Sequence, residues 1–89
     1  MLYYNEKYVI VLSSAYHGYY VEDLLRRNSI PNTFKRAPRA IGPSCHTAIY
    51  IQEKDLDKAM ELINKVNVSV KGVYELIQIG GMYDYRKIQ

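Results

Sequence analysis

An 89-residue chain that is 48% hydrophobic and 24% charged has the make-up of one small globular domain, near the size at which a single core just suffices. Its single cysteine excludes an internal disulfide, and the apolar run Tyr8–Leu12 is too short for a membrane span or a signal-peptide core, so a cytoplasmic protein is expected. A formal charge of +3 is too mild to establish nucleic-acid binding by itself.

The stretch Tyr8–Ser14, YVIVLSS, is rich in β-branched residues and apolar on both faces, which predicts a central strand. Ser13 or Ser14 can cap the helix that follows, because its hydroxyl can accept from an unpaired first-turn N–H. Gly18, Val21 and Leu25 then fall on one helical stripe with Leu24 beside it, and Asn28 and Pro31 mark the stop. From Asn32 to Ala37 the pattern alternates, Phe34 and Arg36 on one side and Thr33 and Lys35 on the other, until Pro38 ends a short edge strand. Thr47, Ile49 and Ile51 alternate with Ala48 and Tyr50 in the next strand. Asp55 is placed to cap a second helix carrying the stripe Leu56, Ala59, Met60, Ile63 and Val66. A last strand is expected over Val70–Ile79, after which Gly80-Gly81 releases a tail.

The order β-α-β-β-α-β predicts a ferredoxin-like α+β sandwich over residues 1–79: a four-stranded antiparallel sheet with two helices on one face, and a C-terminal tail over 80–89. In that topology the first strand is central, yet only one of its apolar faces lies under helices. The other face needs a cover, either the tyrosine-rich ends (Tyr3, Tyr4, Tyr83, Tyr85) or a second copy, and a homodimer through the open sheet face is expected.

The turn between the second and third strands holds two of the three prolines and the only cysteine, in APRAIGPSCHTA from Ala37 to Ala48. Free cysteine is most often a small buried hydrophobe. Here Gly42, Pro43 and Ser44 precede the thiol and His46 follows it, a composition that belongs to surface turns. Such a turn can aim backbone N–H groups at an anion, and Arg36, Arg39 and His46 add cationic character. Both effects favour thiolate over thiol, so Cys45 is expected to be exposed, acidic and able to carry a persulfide.

Pro38-Arg39-Ala40-Ile41 followed closely by Ser44-Cys45 resembles a segment of a family of small bacterial selenium/sulfur carrier-like proteins. The likeness extends through the first helix, with its serine start, Gly18, Glu22 and the pair Leu24-Leu25, and covers roughly Tyr8 to Ile77. The resemblance implies a carrier with sulfur or selenium held on Cys45, taken from a donor protein and passed to an acceptor, rather than an enzyme that turns over substrate. Arg39 would steady the negative sulfur and Ser44 would donate to it. His46 stands where the family usually has glycine, and exchanges backbone freedom for a local base or donor. The plainer readings are a solvated Arg39 after a strand and a Ser44 bonded only to local backbone.

No nucleotide fingerprint, phosphate loop or Ser-His-Asp order is present, so no cofactor is expected. Adjacent Cys45 and His46 with a distant His17 do not make a closed zinc site, and His17 reads as a helix-surface residue. RNA-binding domains share the element order and place aromatics on central strands, but HTAIYIQ lacks the basic-glycine-aromatic opening expected there, which makes nucleic acid an unlikely partner. The main alternative is a dimeric small-ligand or protein-interaction module of the same fold, in which Cys45 is dispensable.

Overall fold

The computed structural model describes residues 6–38, 41 and 46–89. Its elements run β1 (Glu6–Leu12), α1 (Ala15–Arg27), β2 (Asn32–Arg36), β3 (Thr47–Gln52), a 3₁₀ turn (Glu53–Asp55), α2 (Leu56–Asn64), β4 (Val70–Ile79) and β5 (Met82–Lys87). The strands form one sheet in the order β2-β3-β1-β4-β5, and every neighbouring pair is antiparallel. The α+β class and the central place of β1 agree with the hydrophobic pattern.

Two expectations need correction. The sheet has five strands, because residues 82–87 pair with β4 instead of forming a tail. Gly80 and Gly81, both at positive φ, make the two-residue turn that a tight hairpin requires, so the glycine pair folds the chain back on itself. Asp55 precedes α2 but makes no side-chain capping bond. Its φ and ψ are already near-helical as the 3₁₀ turn runs into the helix, which leaves no extended cap geometry for its carboxylate.

Strand alternation builds two cores. Ile10 and Leu12 of β1, Ile49 and Ile51 of β3 and Val73 of β4 face both helices, meeting Val21 and Leu25 of α1 and Ala59, Met60 and Ile63 of α2. The odd residues Val9 and Val11 face the other way and meet Ala48, Tyr50 and Ala37, with Ile41, Tyr74 and Tyr85 packed around them. Val9, Val11, Ala48 and Tyr50 are each at most 5% exposed, so this second face is buried within one chain, with Tyr85 of the tyrosine-rich end among its covers. Burial pushes the Tyr50 phenol well above its usual range, and Tyr85 adds to that.

A bulge at the start of β1 breaks the alternation. Glu6 pairs with Gln52 and Tyr8 with Ile51, which leaves Lys7 extra. Lys7 Nζ reaches Glu75 Oε2 at 3.3 Å and Glu53 Oε2 at 3.5 Å, and Arg86 on β5 pairs with the other Glu75 oxygen. Arg86 first, then Lys7, holds the Glu75 carboxyl below the usual carboxylate range. No helix among the described residues is long and apolar enough to cross a membrane.

Candidate functional site

The cysteine-bearing stretch is the loop of the β2–β3 hairpin, and its two legs are pinned. Arg36 pairs with Thr47, and one step out the Ala37 N–H donates to the His46 carbonyl at 3.0 Å. The Ile41 N–H donates to the Pro38 carbonyl at 3.1 Å, which turns the chain just after β2. Ala37 and Ile41 pack on the second core, which fixes these two residues to the sheet face opposite the helices.

The returning leg is tied to α1. Buried Thr47 Oγ1 donates to the Ser14 carbonyl at 3.0 Å, and Ser14 Oγ accepts the His17 N–H at 3.3 Å as the helix N-cap. Gly18 permits this approach: a Cβ there would lie 2.5 Å from the Phe34 ring and 2.8 Å from Thr47 Oγ1. The positive end of the α1 dipole therefore sits against a residue two positions from Cys45 in sequence. The exposed cations Lys35 and Arg36, on the other leg, join no ion pair among the described residues.

Of the residues singled out in the sequence, His46 is half-buried, and its Nδ1 is shielded from water with no hydrogen-bond partner among the described residues. A ring nitrogen in that position can make one hydrogen bond, as donor or as acceptor. Cys45, Ser44 and Arg39 lie outside the described residues, as do Tyr3 and Tyr4. His17 is more than a surface residue: its Nδ1 accepts the Ser69 N–H at 3.4 Å and links α1 to the approach to β4. Thr47 escaped the reading from sequence, since a threonine opening a strand carries no signal of a tether to a distant serine carbonyl.

Among the described residues no group of three His, Cys, Asp or Glu side chains is placed to hold a metal. A cavity of about 680 Å³ lies at the opposite end of β1, lined by Glu6, Lys7, Lys54, Ile77 and Tyr83 among others. None of its lining residues is a thiol or an imidazole, and Lys7 is held there by two carboxylates.

Comparison with known families adds one match. The family model described as "Putative Se/S carrier protein-like" matches residues 7–75, a span that runs from β1 into β4 and includes the whole hairpin loop. No curated protein and no solved structure matches the chain.

Proposed function

Because the chain belongs to the Se/S carrier protein-like family, we propose that it holds sulfur or selenium on Cys45 as a persulfide or selenopersulfide and hands it to an acceptor thiol. The Cys45 thiolate attacks the outer chalcogen of a donor persulfide or selenopersulfide. The donor's S–S or S–Se bond breaks, its thiolate leaves with the electron pair, and the new bond forms to Cys45. An acceptor thiolate reverses the step, so no net oxidation or reduction occurs. The α1 N-terminus beside Thr47, together with Lys35 and Arg36, which join no ion pair among the described residues, favours an anionic sulfur in this region. Arg39 and Ser44 contribute a cation and a hydroxyl to the same loop, and His46 offers an imidazole nitrogen that has no hydrogen-bond partner among the described residues.

The observation that carries this reading is the family match across the hairpin loop. The test is alkylation of native Cys45 as a function of pH, read with intact mass before and after exposure to a persulfide donor. Reaction with an apparent pKa well below the free-cysteine value of about 8.5, with one added chalcogen that Cys45→Ala abolishes, is the expected result. Cys45→Ala should leave the melting temperature nearly unchanged. Protection of the thiol until unfolding, with a large stability loss in Cys45→Ala, would sink the proposal.

A second reading is an interaction module without thiol chemistry. It is favoured by three tyrosines on the outer side of α1, Tyr16, Tyr19 and Tyr20, which are 77%, 64% and 40% exposed. It predicts no chalcogen loading.

A further inference from the structure

Among the described residues β5 is one edge of the sheet, with no strand on its outer side, and it lies wholly outside the residues matched by the family. It exposes large apolar side chains: Met82 is 74% exposed, Tyr83 is 70%, and Ile88, just past the strand, is 38%. An edge of this kind is a template for another strand unless something blunts it.

The backbone shows which groups are on offer. The Ile88 N–H donates inward to the Val73 carbonyl at 2.8 Å. Backbone direction alternates along a strand, so Met82, Asp84 and Arg86 also direct theirs to β4, while Tyr83, Tyr85 and Lys87 direct theirs outward. The outward N–H of Tyr85 is occupied by a local acceptor, Asp84 Oδ1 at 2.8 Å.

We propose that the occupant of this edge is a second copy of the chain, with the two β5 strands pairing antiparallel about a two-fold axis at Tyr85. The register follows from charge. A two-fold axis at Asp84 sets the two aspartates face to face, and one at Arg86 does the same to the two arginines. Centred on Tyr85, the strands are self-complementary. Asp84 of each copy meets Arg86 of the other, Tyr83 meets Lys87, and Met82 meets Ile88. The outward groups of Tyr83, Tyr85 and Lys87 supply the ladder. The Tyr85 N–H turns from its own Asp84 to the carbonyl of Tyr85 in the other copy, which frees the Asp84 carboxylate for Arg86.

The same register continues a row of alternating charge already present in one chain. Glu53, Lys7, Glu75 and Arg86 run toward the β5 edge, and Asp84 of the second copy is the next member. The sheet's second face offers a second copy less, because its apolar residues are already buried within the chain.

The experiment uses the full chain with Cys45→Ser, so that the native thiol forms no stray disulfide. Sedimentation equilibrium should give twice the 10.4 kDa chain mass, and Asp84→Arg should return the monomer with an unchanged circular dichroism spectrum. In the same background, Tyr83→Cys with Lys87→Cys should oxidise to a covalent dimer, while either cysteine alone should not. Positions 83 and 87 are about 13 Å apart along one strand, too far for a disulfide within a chain. A monomer at roughly 100 μM, a dimer indifferent to Asp84→Arg, or single cysteines that cross-link as well as the pair would each overturn the proposal.

Discussion

Gly18 is the residue on which the packing around the hairpin base turns. Alanine is favoured over glycine in a helix interior by about 1 kcal/mol, so propensity alone predicts that Gly18→Ala stabilises α1. The site reverses that sign. The added Cβ would lie 2.5 Å from a ring carbon of Phe34 and 2.8 Å from Thr47 Oγ1. The Phe34 ring also stacks on Tyr19 with centroids 4.7 Å apart, so moving it would disturb that contact. Displacing Thr47 would disturb its bond to the Ser14 carbonyl. Overpacking of this kind costs about 1–3 kcal/mol, so a net loss is expected, read as a lower midpoint in urea unfolding. The pattern i, i+3, i+7 identifies Gly18 as inward-facing in the sequence. What it touches comes from β2 and β3, which no local pattern of the helix contains.

At the scale of elements, one carboxylate links three strands. Glu75 on β4 meets Lys7 from the β1 bulge and Arg86 from β5, and it is only 9% exposed. Its pKa is lowered by Arg86 and Lys7, so the folded state favours the ionised form. That contribution is fully present above the unfolded carboxylate value of about 4.3 and is lost as pH falls through the lower folded value. Glu75→Gln should therefore lower stability at neutral pH and flatten the acid limb of the stability curve below about pH 5, measured by urea midpoints across a pH series. An acid limb as steep as that of the unchanged chain would remove Glu75 from this role. The element itself was half legible. Gly80-Gly81 marks a break after β4, but glycines that release a chain and glycines that reverse it look the same in composition. MYDYRK has weak alternation, and its strand state depends on the free edge of β4 beside it.

At the scale of the whole molecule, the chain supports two apolar layers on one sheet. Val11 of β1 is 1% exposed on the face without helices. Val11→Ala should cost roughly 1–3 kcal/mol in thermal or urea unfolding, as expected for methyl groups removed from a packed site. A change within a few tenths of a kcal/mol would mean a solvated face. Four of the five strands, both helices, a serine cap before α1, the inward stripe of α1 and the two apolar faces of β1 could be read from the sequence, because each depends on period and on local hydrogen bonding. The candidate thiol and its neighbours could be named the same way, because chemistry follows residue type. What the sequence alone did not reveal is the relation between separated segments. It took the tertiary structure to set α1's N-terminus against Thr47, to bring Arg86 to Glu75, to add Ile41 to the cover of Val9 and Val11, and to choose Tyr85 from the covers the sequence offered. The reason is physical: period-two and period-3.6 patterns report which face of an element is buried, while the partner that buries it is chosen by long-range packing and pairing register.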